Sequence, residues 1–138
     1  IKFVRKHAPD IIIGWNVVNF DFALLQKRCD LHGIKFNISR EHTPPHWRKN
    51  KSTEQQYCDI AGRVILDGID LLKTATYNFS SFSLDNVASQ LLGLHKQVKD
   101  VDNRLQEITY NFHHDKPALA AYNLEDCRVL WLIFEKTK

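Results

Sequence analysis

A mixed α/β fold, richer in helix than in strand, is what this sequence predicts, and three observations predict it. Ile11-Ile12-Ile13 is a β-branched run set between Pro9 and Gly14, the pattern of a short strand in a parallel sheet, buried on both faces. Leu84, Val87, Ala88, Leu91 and Leu92 recur at helical spacing between a serine and a glycine. The 138 residues, 43% hydrophobic and 25% charged, have the composition of an ordinary soluble domain with a real core.

The elements follow in order. Ile1–His7 reads as the end of an amphipathic helix, which Pro9-Asp10 breaks. After the Ile11–Ile13 strand, Gly14 to Asn19 makes a turn, and a helix runs from Phe20 to about Arg28. Ser39 to Gln55 has no apolar period and contains Pro44-Pro45, so it is expected to be a loop. Tyr57–Ile60 and Arg63–Leu66 are strand-like around Gly62, either a bent hairpin or one strand with a bulge. A short helix follows Asp67-Gly68, from Ile69 to about Ala75. Ser83 caps the next helix and Gly93 ends it. A polar helix over about Asn103–His113 precedes a last one, which starts near Asp115-Lys116-Pro117 and ends near Glu135.

Composition bounds the function only loosely. The formal charge of +3 permits a nucleic-acid partner without arguing for one. No run approaches the roughly 18 apolar residues of a membrane span, and the opening stretch lacks the apolar centre of a signal peptide. Cys29, Cys58 and Cys127 have no metal-ligand spacing, and an odd count without a framework fits a reducing, cytoplasmic setting. With no methionine, the sequence reads as a segment of something longer, a processed N-terminus being the alternative.

Two short motifs carry the chemistry. The first is Gly14-Trp15-Asn16-Val17-Val18-Asn19-Phe20-Asp21. Ligand sites of open α/β sheets lie beyond the carboxyl ends of strands, where this turn falls. Asn16 can hydrogen-bond a phosphate or sugar there, Phe20 can stack on a base, and Asp21 can hold a divalent cation. Equally, an Asp in the first turn of a helix complements its dipole, and Phe20 can be core. The second motif is Tyr122-Asn123-Leu124-Glu125-Asp126. Tyr122 and Asp126, four apart on a helix, differ in direction by only about 40° and share a face. A phenol beside a carboxylate can orient a water that a metal polarises; a buried tyrosine next to a surface acid is the plain alternative. Glu125 points about 100° away from Asp126, which makes the two poor joint chelators.

Other groups are weaker. Arg40, His42, His46, Trp47, Arg48, Lys49 and Lys51 form a basic stretch that can track a phosphate backbone or simply be solvated. His113 and His114 end a helix and point apart. Asp67 and Asp70 flank a strand end and read as structural. There is no phosphate-cradling glycine loop and no nucleophile elbow, which disfavours an unrelated nucleotide-binding domain.

Taken together, these residues resemble the proofreading exonuclease domain of the family B DNA polymerases. Gly14–Asp21 is similar to that family's second exonuclease motif, an Asn followed a few residues later by Phe-Asp. Tyr122–Asp126 resembles the third, Tyr-x-x-x-Asp. Gly62-Arg63-Val64-Ile65-Leu66-Asp67 looks like the family's Gly-Arg strand, and Asn78–Leu84, Val87-Ala88, Leu91–Gly93 and Asp115–Ala120 match as well. The likeness covers nearly the whole chain except Arg40–Gln55.

The resemblance implies a partial ribonuclease-H-like fold of the DEDD type with a catalytic tyrosine, lacking its first antiparallel strands. Residues 1–138 are then the C-terminal portion of a single 3′→5′ exonuclease domain, whose first motif, Asp-x-Glu, is expected upstream of Ile1. By that resemblance Asp126 ligates one metal directly and Asp21 supports a second. Tyr122 positions the attacking water, and Asn16 and Phe20 contact the unpaired 3′ end of a primer. The implied cofactor is Mg²⁺ or Mn²⁺ in a two-metal site. The implied partners are single-stranded DNA and the rest of a polymerase chain. With two of four carboxylates, the 138 residues alone are expected to bind cations poorly and to be inactive. The missing strands are expected to leave apolar surface uncovered, giving self-association or incomplete order around Ile11–Trp15. The competing reading is a non-catalytic single-stranded-DNA-binding or scaffold module of the same fold.

Overall fold

The computed structural model describes residues 1–53, 55–94 and 101–138, with 101–104 described by backbone alone. Its internal contacts divide it into two units, Ile1–Tyr77 and Asn78–Lys138.

The first unit opens with helix α1 (Lys2–His7), closed by Ala8 in the left-handed conformation. Strand β1 (Ile11–Gly14) then runs parallel to β4 (Val64–Asp67), with Ile11 opposite Val64 and Gly14 opposite Asp67. The parallel pairing agrees with the sequence; the burial does not. Ile12 and Ile13 are only half-buried and Ile11 is 52% exposed. Among the described residues β1 is paired on one edge only, and Ile12 packs against the core of this unit.

The helix expected from Phe20 begins earlier and irregularly. Val18–Phe22 forms a π-helical turn, with the Phe22 N–H donating to the Val17 carbonyl at 2.8 Å, and continues into α2 (Ala23–Leu31). The inward face of this segment is Val17, Val18 and Phe22, not Phe20, Leu24 and Leu25, which are exposed.

Part of the expected Ser39–Gln55 loop is strand. β2 (His46–Lys49) pairs antiparallel with β3 (Gln56–Asp59), Trp47 opposite Cys58 and Arg48 opposite Tyr57. Alternation sets the faces. Trp47 and Cys58 turn toward the core, and the Trp47 indole N–H reaches the Gln26 side chain at 3.3 Å. Outside, Arg48 grips Asp59 with two hydrogen bonds, 2.6 and 2.9 Å, and lies 5.4 Å from the Tyr57 ring centre. That ion pair holds the Asp59 carboxyl below the usual carboxylate range. A strand with one half-buried aromatic carries no detectable period, which is why its sequence reads as loop. Glu54 of the expected loop lies outside the described residues.

The two strand-like runs around Gly62 belong to different sheets, joined by one antiparallel bridge from Ile60 to Arg63. Gly62 has φ +74°, and a Cβ there would meet the Arg40 side chain at 2.8 Å. Arg63 is buried and donates to the carbonyls of Ile38, at 2.7 Å, and Pro9; Arg40 donates to those of Gly62 and Ala8, each at 2.9 Å. The two guanidinium groups thus tie the entry of β1 to the turn before β4. The core of this unit is Val17, Val18, Phe22, Phe36, Ile38, Cys58 and Ile60. Burial pushes the Cys58 thiol up to about 11, so this cysteine is inert packing.

The second unit is helical. The Ser83 hydroxyl accepts the Asn86 N–H at 3.3 Å and starts α4 (Leu84–Leu92); Gly93, at φ 67°, ends it. Val87, fully buried, and Ala88 form the centre of the predicted stripe. α5 (Val101–His114) and α6 (Lys116–Thr137) follow, the latter capped by Asp115, which accepts the Ala118 N–H at 3.0 Å. Both α4 and α5 pack on α6, where Val129 and Ile133 are buried.

Candidate active site

The carboxyl ends of the two parallel strands, β1 and β4, meet where the first motif leaves the sheet. Gly14 lies opposite Asp67. Asn16 then turns the chain with φ 59°, a left-handed conformation that Asn tolerates better than most side chains. Its Oδ1 accepts from the Asn19 amide at 3.2 Å, and its carbonyl accepts the Phe20 N–H at 3.0 Å. Phe20 and Asp21 come next, inside the π-helical turn. Such turns lie disproportionately at functional sites, because the extra residue re-aims side chains.

The two readings left open for this segment separate here. Phe20 is 62% exposed and is not core, whereas Phe22, two residues on, is 5% exposed and stacks edge-on against Phe36. Asp21 is exposed as a residue, yet its carboxyl is shielded enough that desolvation raises its pKa. A backbone hydrogen bond at its own N–H lowers it, and the nearby negative charge of Asp67 raises it again.

Asp67 read as structural in the sequence, and its position is more specific than that. It is only 7% exposed. Its Oδ1 accepts two backbone N–H groups, that of Ile69 at 3.0 Å, capping α3 (Gly68–Thr74), and that of Asn16 at 3.3 Å. Its Oδ2 is buried, with no hydrogen bond of full geometry. Burial first, then the neighbouring Asp70, push the Asp67 carboxyl above the usual range; the N–H groups of Ile69, Val18 and Asn16 pull it part of the way back. The available signal was an Asp-Gly at the end of a strand, a common turn pair that does not show which distant N–H it serves.

The sign of that shift gives a stability prediction. A carboxyl raised in the fold contributes stability below its unfolded pKa, and this contribution is lost as pH rises through the folded value. At neutral pH the ionised Asp67 is therefore unfavourable as a charge but useful as an acceptor. Asp67→Asn keeps the acceptor and removes the charge, so it is expected to be at least as stable as the parent at pH 7, an advantage that shrinks toward pH 4. Asp67→Ala, which loses the cap, is expected to cost about 1–2 kcal/mol. Urea unfolding across this pH range checks both.

The second motif lies on α6. Tyr122 and Asp126 are both half-buried and one turn apart, as their spacing requires. Glu125 is exposed, 3.8 Å from Arg128. Asn16, Phe20 and Asp21 thus belong to the first unit, and Tyr122 and Asp126 to the second. The basic stretch proves partly structural, since Arg40 and Arg48 are engaged in the contacts described above. Among the described residues no three His, Cys, Asp or Glu side chains converge as a metal-binding group, and no helix is long and apolar enough to cross a membrane.

Comparison with known proteins identifies the family. A family model described as the exonuclease domain of DNA polymerase family B matches residues 1–87. DNA polymerase II of Escherichia coli (strain K12) is 44% identical over 134 residues, covering 96% of this chain and 17% of that protein. A DNA polymerase of Thermococcus sp. (strain 9oN-7) is 28% identical over 131 residues, 95% of this chain and 16% of its own length. Among solved structures, the family B DNA polymerase from the hyperthermophilic archaeon Pyrobaculum calidifontis superposes with a TM-score of 0.72 at 24% identity, over 99% of this chain and 17% of that one. The chain therefore spans about a sixth of the polymerases it matches. With the family model matching well over half its length, it belongs to the exonuclease domain of the family B DNA polymerases.

Proposed function

We propose that these residues form the C-terminal portion of a ribonuclease-H-like 3′→5′ proofreading exonuclease within a bacterial, cytoplasmic DNA polymerase II. The observation that carries the reading is the first motif. It holds an exposed aromatic, an amide and a carboxylate together beyond the carboxyl end of a parallel strand, in a chain of this family.

Asp21 and Asp126 offer hard carboxylate oxygens, the donor class that Mg²⁺ and Mn²⁺ take. When bound, the ions supply charge stabilisation to the attacking and leaving oxygens of phosphodiester hydrolysis. The chain's own residues then divide the work. Asn16 hydrogen-bonds the primer terminus and Phe20 stacks on its unpaired base. Tyr122 holds the attacking water by its phenol, beside the Asp126 carboxylate. The edge of β1 opposite β4 can take up a further strand, from the rest of a polymerase chain or from a second copy of this one.

The test is a 3′-labelled single-stranded DNA. The intact polymerase is expected to shorten it from the 3′ end with Mg²⁺ or Mn²⁺ and to leave it whole in EDTA. The 138-residue chain alone is expected to leave it whole in either case. Robust metal-dependent degradation by the chain alone would show that the catalytic carboxylates have been misassigned.

A further inference from the structure

We infer that Asp67, with Gly68, is the positioning element of the Asn16–Asp21 motif: it sets where Asn16, Phe20 and Asp21 stand without itself touching DNA or metal. The inference rests on the exonuclease reading above and adds a residue to it.

Three contacts converge on this pair. Asp67 is the backbone partner of Gly14, the last residue before the motif turns away from the sheet. Its Oδ1 accepts the Asn16 N–H at 3.3 Å and the Ile69 N–H at 3.0 Å, so one buried oxygen joins the motif turn to the start of α3. Gly68 supplies the third: a Cβ there would lie 2.7 Å from the Trp15 ring, so only glycine lets that ring settle against the start of α3. Trp15 and Asn16 are thereby held from the same side, one by shape and one by hydrogen bond.

The turn needs such a hold. Asn16 is in the left-handed region, a conformation that persists only where its surroundings fix it. Four residues on, the π-helical turn determines where the Phe20 ring and the Asp21 carboxylate project. A shift at Asn16 is carried into both through the Asn16–Phe20 backbone hydrogen bond. Misplacing reacting groups by about 1 Å can cost on the order of 10²-fold in rate, even when the altered residue lies outside the chemistry.

The hydrogen-bond geometry also says which property of Asp67 matters. Oδ1 serves as an acceptor for two backbone N–H groups. An amide supplies the same acceptor, so Asn should replace Asp here, whereas a metal ligand could not be replaced in this way.

The experiment is single-turnover excision of a 3′-labelled single strand by the full-length polymerase with saturating Mg²⁺. Strand synthesis on a primed template is measured on the same preparations. Asp67→Ala and Gly68→Ala are each expected to slow excision by roughly 10–100-fold at saturating DNA while synthesis stays within about twofold. Asp67→Asn is expected to restore excision to within about threefold of wild type. Equal damage from Asn and Ala would mean that the carboxylate acts directly, and excision within twofold of wild type for Asp67→Ala would mean that it holds nothing. Parallel loss of excision and synthesis in Asp67→Ala and Gly68→Ala, unrelieved by Asn, would make the pair merely structural. Asp21→Ala, run alongside, tests the underlying reading separately: if it excises normally, the exonuclease assignment fails whatever Asp67 does.

Discussion

Replacing Asp126 or Asp21 by alanine in the intact polymerase is expected to lower 3′→5′ excision by about 10²–10³-fold or more and to leave strand synthesis within about twofold. Removing one group that stabilises charge in a transition state typically costs that much, and a carboxylate that carries a metal does at least as much. The geometry makes the two variants informative as a pair. Asp21 is an exposed residue of the π-helical turn and Asp126 is half-buried on a long helix, and neither belongs to the buried core. Neither substitution should therefore unfold its unit. The measurement is excision and synthesis rates on one preparation, with the misincorporation rate as a third readout. Equal loss of excision and synthesis would assign these acids a role in folding. Unchanged excision would leave the chain as a single-strand-binding module, with Asn16 and Phe20 as its working residues.

The second large effect separates two phenylalanines that lie two residues apart. Phe22→Ala is expected to destabilise the first unit by about 3–5 kcal/mol, the usual cost of emptying a core aromatic site. Phe22 is almost fully buried and faces Phe36, with ring centres 6.2 Å apart. Against a typical total of about 5–15 kcal/mol, that loss is enough to lower the folded yield. Phe20→Ala is expected to change stability by less than about 0.5 kcal/mol, because its ring is mostly in solvent. It should instead weaken binding of single-stranded DNA by about 1–3 kcal/mol, the contribution of one base stacked on an aromatic side chain. Denaturant unfolding and a fluorescence-anisotropy titration in EDTA check the two halves. If Phe20→Ala unfolds the chain while Phe22→Ala does not, the helix has been placed in the wrong rotation.

Elements whose signals are local were legible in the amino-acid order. Ser83 and Gly93 bound α4, and Asp115 with Pro117 starts α6, because caps and helix-terminal residues act within a turn of where they stand. The spacing of Tyr122 and Asp126 fixed their shared face for the same reason: a helix converts separation in sequence directly into direction. The family, too, was legible, because its two motifs and the Gly62–Asp67 strand occur in order with their neighbouring blocks. Other features depend on partners far away in the chain. Whether Phe20 or Phe22 is core is set by Phe36 and by a π-helical turn that shifts the register, and no local pattern encodes either. β2 exists because β3 is there to pair with it; His46–Lys49 has too few apolar residues to announce a strand. Asp67 looked like an ordinary turn residue until its Oδ1 was seen to hold an N–H 51 positions away. Periodicity and capping travel with the sequence, but a buried acceptor acquires its purpose only when folding brings its donor to it.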